Sequence, residues 1–194
     1  RNLIRTLGVL ACMCPALAWP LAADRTGPQA GTVSAVFDGD TIALDSGEKV
    51  RYLGADAPEI AHRDRPGECY GEKARRINEK LVLHRRVTLR YDRELRDRHG
   101  RWLAYVLLED GRCANAELVM QGAAYVNRTR KGFSRFEDFL RSQRRAIRER
   151  AGMWAECNVE ERSQYPGSRS SHIFHRPTCP FGNQIGIQQP PPMK

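Results

Sequence analysis

The order of its short apolar segments limits the folds open to this 194-residue chain more than any other feature. Three β-prone runs come first, at residues 33–37, 42–44 and 50–53, and turn-forming residues separate them. A helical pattern over residues 70–83 then precedes two further strand patterns, at 86–91 and 102–108. Two more helical patterns follow. This order predicts an α+β fold: a five-stranded OB-fold β-barrel with three α-helices.

The chain changes character after its last helical pattern. Ser134 and Glu137 have the spacing of a capping box, which places the start of the last helix at Ser134. The apolar stripe of this helix continues to Trp154, so one long helix is expected. Residues 158–194 are rich in Ser, Pro, Gly and Gln, a composition that predicts a loosely ordered C-terminal tail. The folded domain is therefore expected over residues 31–157.

The first 23 residues have the pattern of a secretory signal. Arg1 and Arg5 precede an apolar run that ends in small residues, and no initiator Met is present, so the signal is N-terminally incomplete. The apolar run is short for a transmembrane helix. We therefore expect an exported protein, secreted or periplasmic, that is monomeric and does not contact a membrane in its mature form.

The charge balance suggests the kind of partner. The formal net charge is +9 and the sequence pI is about 9.6. Strong positive charge favours polyanionic partners such as nucleic acid or an anionic membrane. Charge alone fits a basic soluble protein equally well, so the choice depends on the motifs.

Four cysteines follow the predicted signal: Cys69, Cys113, Cys157 and Cys179. Export implies an oxidising compartment, and four cysteines allow three fully paired connectivities. We favour a Cys69–Cys157 bridge, because these residues flank the first and last helices, whose ends can approach in a compact barrel. A zinc site is the competing hypothesis. His172, His175 and Cys179 supply only three of the four ligands that a structural zinc ion needs.

Acidic residues gather around the short apolar segments in an arrangement that suits a cation. Asp40 follows the first strand pattern, and Asp56 follows the third. If these strands are neighbours, both carboxylates converge on one ion, and carboxylates are preferred ligands of Ca²⁺ and Mg²⁺. Asp38 is either a further ligand or a turn-capping residue. Glu59 lies just beyond Pro58, within reach of a water molecule at such a site.

Two arginines complete this pattern. Arg51 lies on the third strand pattern, and Arg101 follows the turn "DRHG" and leads into the fifth. Phosphoryl transfer requires positive charge around the phosphoryl oxygens, which the guanidinium fork supplies. A turn rich in Asp or a strand Arg means little alone, but together they indicate a phosphodiesterase site.

Six stretches make the chain resemble the thermonuclease family, the staphylococcal-nuclease-like domains, over about residues 31–157: VFDGDTIAL, VRYLGADAPE, YGEKA, DRHGRWLAYV, NAELVMQGAAYV and GMW. The resemblance implies an OB-fold barrel and a Ca²⁺-dependent nuclease. Such an enzyme cleaves DNA and RNA with little sequence preference and leaves 3′-phosphate ends. It also implies three ligands of one Ca²⁺ ion: Asp40, Asp56 and the backbone carbonyl of Ala57. It implies three catalytic residues: the general base Glu59 and the phosphate-binding Arg51 and Arg101.

The chain also departs from the family pattern. Ala57 stands where a well-studied secreted member has Thr, which leaves a backbone ligand intact. Arg128 and Arg130 stand where that member stacks the nucleoside on tyrosines. Because arginine planes also stack on bases, we expect these two residues to bind substrate with an altered base preference. The alternative hypothesis is a non-catalytic module of the same fold that binds nucleic acid or protein, but retention of the whole acid and arginine set argues for catalysis.

Overall fold

The computed structural model describes residues 27–127, 129 and 131–157. The predicted signal, the predicted tail and the predicted substrate-binding residues Arg128 and Arg130 lie outside the described residues. The strands are β1 (Ala30–Val36), β2 (Thr41–Leu44), β3 (Lys49–Tyr52), β4 (Ala55–Asp56), β5 (Arg86–Arg90), β6 (Trp102–Leu107) and β7 (Tyr125–Val126). The helices are α1 (Gly71–Val82), α2 (Ala114–Met120), α3 (Phe136–Arg148) and the single-turn α4 (Met153–Glu156).

Five of these strands close into a barrel in the order β1-β2-β3-β6-β5. Strands β1, β2 and β3 pair as an antiparallel meander, and β5 pairs antiparallel with both β1 and β6. The seam between β3 and β6 is parallel, with Arg51 beside Leu103. This barrel and its helices confirm the predicted α+β OB-fold. The short strands β4 and β7 pair outside the barrel, a feature that the sequence patterns did not indicate.

The barrel interior is filled by alternate residues of its strands, as the period of two in a strand requires. Val33, Ile42 and Leu44 are buried on β1 and β2, and Val50 and Tyr52 on β3. Strand β6 is instead buried at every position, because one side faces the barrel interior and α2 packs against the other. Side chains on β3 and at the start of β6 are therefore carried by well-packed strands.

The predicted start and length of the last helix are wrong. Helix α3 begins at Phe136 with Arg135 at its N-cap, and Ser134 makes no cap. The Ser134 hydroxyl donates a hydrogen bond to Asp92 Oδ2 at 2.6 Å, and the Ser134 amide donates to the same oxygen at 2.7 Å. Helix α3 ends at Arg148, since Arg150 has a positive φ of 52°, and Trp154 belongs to α4.

The structure pairs Cys69 with Cys157, whose Cα atoms lie 5.9 Å apart across a sequence separation of 88 residues. This is the pairing that the sequence favoured. Cys113 is buried and has no disulfide partner in the described part of the chain. The hypothetical zinc ligands of the tail lie outside the described residues. Within the ranges described, no helix is long and apolar enough to cross a membrane.

Candidate active site

The turn between β1 and β2 carries the first acidic residues. The Asp40 amide donates a hydrogen bond to Asp38 Oδ1 at 2.9 Å, so Asp38 caps the turn. Gly39 is required by close packing: a Cβ atom there would lie 2.4 Å from the Cβ of Ala57 and 2.9 Å from the Cβ of Ala74. The turn is therefore pressed against both the Ala57 segment and helix α1, which fixes Asp40.

Arg51 joins the two predicted metal-binding acids. The antiparallel register of β2 and β3 places Arg51 beside Thr41, directly after Asp40. One terminal nitrogen of the guanidinium contacts Asp40 Oδ1, and the other contacts Asp56 Oδ1. The Asp40 side chain is 1% exposed, and those of Arg51 and Asp56 are 14% exposed. Asp40 and Asp56 thus lie at the two ends of one guanidinium. The expected route to this arrangement was wrong, because the first and third strands are not neighbours and β2 lies between them.

Asp40 is held on every side. Its Oδ2 accepts a hydrogen bond from the Ala57 amide, and its Oδ1 accepts one from the Thr41 hydroxyl at 3.2 Å. Burial raises the pKa of Asp40 well above its ordinary value. The Arg51 charge opposes this effect, whereas Asp38 and Asp56 add repulsion. A buried carboxylate among like charges is stabilised by further positive charge.

The donor chemistry of this cluster fits a hard divalent cation. Asp40 and Asp56 present carboxylate oxygens at one place, and such ions take oxygen ligands from carboxylates, backbone carbonyls and water. No group of three or more His, Cys, Asp or Glu side chains placed to hold a metal occurs among the described residues. Two carboxylates would thus be the core of the ligand set. The Ala57 amide donates a hydrogen bond to Asp40, which places the Ala57 peptide at this cluster.

Arg101 joins the cluster through Thr41. One terminal nitrogen of Arg101 donates to the Thr41 hydroxyl at 3.3 Å, and its Nε donates to Asp97 Oδ2 at 2.7 Å. Asp97 Oδ1 also accepts the Arg101 amide at 3.0 Å. Burial raises the pKa of Asp97, but the hydrogen bonds and charge of Arg101 outweigh it and lower that pKa below its ordinary value. Asp97 therefore orients the Arg101 guanidinium as a charged partner.

Glu59 is partly buried and lies three residues after Asp56. Its amide donates to Glu68 Oε2 at 2.9 Å, and its carbonyl accepts the Glu68 amide at 2.8 Å. Glu59 also lines a cleft of about 360 Å³ together with Glu68, Tyr70 and Lys73. The described lining of this cleft comes from residues 59–61 and 67–73 and Glu156, and does not include Asp40, Arg51, Asp56 or Arg101.

Several supporting residues escaped the sequence analysis. Asn78 is fully buried on α1, accepts the Tyr52 hydroxyl at 2.8 Å and donates to the Asp38 carbonyl at 3.2 Å. It therefore ties the acidic turn to both a helix and the barrel. Thr41 and Asp97 lie inside the motifs that carry Asp40 and Arg101, so their closeness in sequence to those two residues could have identified them. Nothing in the local sequence marks Asn78.

The fold and this cluster define the class of protein: an OB-fold barrel whose donors suit a hard cation and a phosphate group. Comparison with known proteins gives the family. A family model described as "Staphylococcal nuclease homologue" matches residues 49–156, more than half of the chain. The chain belongs to the staphylococcal nuclease family. The matched range contains Arg51, Asp56, Glu59 and Arg101 and begins after Asp40.

Individual relatives agree with this assignment. The chain is 42% identical over 95 residues to a thermonuclease of Staphylococcus intermedius, an alignment that covers 47% of this chain and 56% of that protein. It is 32% identical over 123 residues to a thermonuclease of Staphylococcus hyicus, with 62% and 72% covered. It is 33% identical over 132 residues to endonuclease YncB of Bacillus subtilis, with 64% and 61% covered. The chain thus spans between about half and three quarters of these relatives.

Proposed function

We propose that this protein is an exported, Ca²⁺-dependent nuclease that hydrolyses phosphodiester bonds of DNA and RNA with little sequence specificity. The observation that carries the proposal is the Arg51 guanidinium between Asp40 and Asp56, with Arg101 linked to the same cluster through Thr41. The thermonuclease and endonuclease names of its relatives support it. Export rests on the N-terminal signal pattern alone.

The acidic residues have two roles in this proposal. Asp40, Asp56 and the carbonyl of Ala57 would hold one Ca²⁺ ion, which would supply positive charge next to the scissile phosphate. Asp40 is suited to this role because its carboxylate is buried and fixed by the Ala57 amide and the Thr41 hydroxyl. Ion binding would replace the Arg51 contacts of both acids and free the guanidinium for the substrate, while the Ala57 and Thr41 bonds keep Asp40 in position.

The remaining residues act on the substrate. Arg51 and Arg101 donate hydrogen bonds to the phosphoryl oxygens and stabilise the charge that develops there. Glu59 accepts a proton from the attacking water, whose oxygen forms the new bond to phosphorus. The bond from phosphorus to the 5′-oxygen breaks, and that oxygen takes up a proton. The products therefore carry a 3′-phosphate on one fragment and a free 5′-hydroxyl on the other.

Purified full-length protein tests the proposal. It should cleave single-stranded DNA, RNA and, more slowly, duplex DNA with Ca²⁺, and excess EGTA should stop the reaction. Arg101→Ala and Glu59→Ala should each lower turnover about 10²–10³-fold. The exposed Arg112→Ala is the matched control and should retain turnover. Cleavage in excess chelator would contradict the metal assignment. Binding without cleavage in any common divalent ion would favour the non-catalytic module.

A further inference from the structure

The segment that carries Glu59 lies outside the barrel ladder. Beyond it, residues 61–67 form an exposed loop, in which His62 and Arg65 pair by two backbone hydrogen bonds of 2.9 and 3.1 Å. The base of this loop is closed by Glu59 and Glu68. A loop of this kind has few buried contacts of its own, so its base must be fixed from outside if Glu59 is to keep one position.

Glu68 fixes that base with two reciprocal hydrogen bonds. Its side-chain Oε2 accepts the Glu59 amide at 2.9 Å, and its own amide donates to the Glu59 carbonyl at 2.8 Å. The first bond depends on the Glu68 side chain, whereas the second is backbone only. The side-chain bond is therefore the one that substitution can remove without changing the path of the chain.

The start of helix α1 packs against the same two residues, Glu59 and Glu68. The Gly71 amide donates to the Glu68 carbonyl at 3.0 Å. A Cβ atom at Gly71 would lie 2.3 Å from the Glu59 carbonyl oxygen, so only glycine permits this approach. The Glu59 backbone is thus enclosed by Glu68 on one side and by the start of α1 on the other.

A covalent anchor follows directly. Cys69 comes immediately after Glu68 and pairs with Cys157 at the end of α4. Cys157 is buried in a small apolar cluster with Tyr125, Met153 and Trp154. An otherwise exposed loop end is in this way attached to a packed part of the protein.

We propose that Glu68 is a positioning residue for the general base Glu59, and that the Cys69–Cys157 bridge holds Glu68 in place. This inference rests on the nuclease function proposed above. It assigns Glu68 no contact with substrate: Glu68 fixes the backbone of Glu59, and Glu59 acts on water. Misplacement of a catalytic group by about 1 Å costs about 10²-fold in rate, so the expected effect falls on turnover.

Three substitutions of Glu68 separate geometry from charge. Glu68→Gln keeps the reach and an acceptor oxygen, and it should retain kcat within about threefold. Glu68→Asp keeps the charge but shortens the side chain, and Glu68→Ala removes it. Both should lower kcat about 10–100-fold and leave KM within about threefold. Glu109→Ala, at an exposed turn, is the control. Equal losses in Glu68→Gln and Glu68→Asp, or no loss in Glu68→Ala, would overturn the positioning role.

A double-mutant cycle shows whether Glu68 acts through Glu59. In a Glu59→Ala background, the further change Glu68→Ala should alter kcat less than about twofold, because the group being positioned is gone. A full additional loss would mean that Glu68 acts independently, which would refute the proposal. A merely structural role would instead lower stability in both backgrounds alike.

Amide exchange at Glu59 tests the same contact without activity. In full-length protein studied by NMR, Glu68→Ala should speed exchange of the Glu59 amide at least tenfold, and Glu68→Gln should not. Reduction of the bridge by dithiothreitol, which yields two thiols and the cyclic disulfide of the reagent, should also speed this exchange and lower kcat. Unchanged exchange after complete reduction would overturn the role of the bridge. If the wild-type protein proves inactive, the proposed function fails, and exchange still decides whether Glu68 fixes Glu59.

Discussion

Replacing Arg51 with Met tests whether Asp40 and Asp56 form one site that needs a positive charge between them. Arg51 is the guanidinium that contacts both Asp40 and Asp56, and Asp40 is 1% exposed. Removing one partner of a buried ion pair costs about 3–5 kcal/mol, because the other charge stays buried. Asp56 is 14% exposed, so water relieves part of the penalty. We therefore expect a loss of about 3 kcal/mol in EGTA, at the lower end of this range.

Urea unfolding followed by tryptophan fluorescence measures this loss. With an m-value of about 2 kcal/mol/M, the midpoint should fall by about 1.5 M. Ca²⁺ should restore much of it, since a ligand at a hundred times its Kd stabilises by about 2.7 kcal/mol. The gain should be larger in Arg51→Met than in wild type, where the guanidinium already neutralises the acids.

Arg112→Met is the matched control for this experiment. Arg112 pairs with Asp110 and Glu117 at the surface and is 48% exposed, so its loss should cost less than about 1 kcal/mol. Ca²⁺ should stabilise this variant as much as it stabilises wild type. The reasoning is refuted if Arg51→Met costs no more than Arg112→Met. It is equally refuted if Ca²⁺ stabilises wild type more than Arg51→Met.

Three further changes have distinct expected results. Asn115 is fully buried, accepts a hydrogen bond from the Val106 amide and donates to the carbonyls of Leu53 and Ala104. Asn115→Ala should therefore lower the free energy of unfolding in urea by about 3 kcal/mol, because it leaves these groups unpaired. A loss below about 1 kcal/mol would contradict this expectation. Burial raises the pKa of Asp92, but hydrogen bonds from Ser134 and Tyr105 outweigh it and lower that pKa below its ordinary value. Its charge therefore stabilises the fold at neutral pH and loses this effect as the pH falls through the folded-state pKa. Asp92→Asn should cost about 1 kcal/mol at pH 7, and this cost should shrink as the pH falls below the ordinary carboxyl range. Arg128→Ala combined with Arg130→Ala should raise KM more than it lowers kcat in steady-state assays, and unchanged values of both would remove these residues from the substrate site.

The acidic part of the site could be predicted because its residues are close in sequence. Asp40 directly precedes β2 and Arg51 lies on β3, and these two strands form one hairpin. Antiparallel neighbours joined by a short turn are the simplest pairing to infer. Asp56 follows four residues after β3 ends. The order of strands, the turn around Gly39 and the motif set all point to the same arrangement.

The rest depends on contacts that leave no local signal. Arg101 reaches Thr41 only because β3 and β6 form a parallel pair, which requires a long crossover between them. Helical periodicity did not reveal where α3 stops, because the chain leaves the helix through Arg150, which adopts a left-handed conformation with a φ of 52° at a position that glycine usually occupies. Ser134 was assigned to a cap because of its spacing to Glu137. In the fold, its hydroxyl and amide both bind Asp92, and this tertiary contact outweighs the local pattern.

The two parts of the candidate site are therefore held in place by different contacts. Asp40 and Arg51 flank or lie on barrel strands that are paired along the sheet, and Asn78 braces the acidic turn from α1. Glu59 lies outside the barrel, and its backbone is held by Glu68. Loosening the Glu68 contact should thus leave Ca²⁺ affinity unchanged while it lowers turnover. Loosening the Asn78 contact should weaken Ca²⁺ binding first, because it releases the turn that carries Asp40. Measuring Ca²⁺ affinity and kcat in Glu68→Ala and Asn78→Ala separates the two parts, and parallel losses in both variants would show that they form one unit.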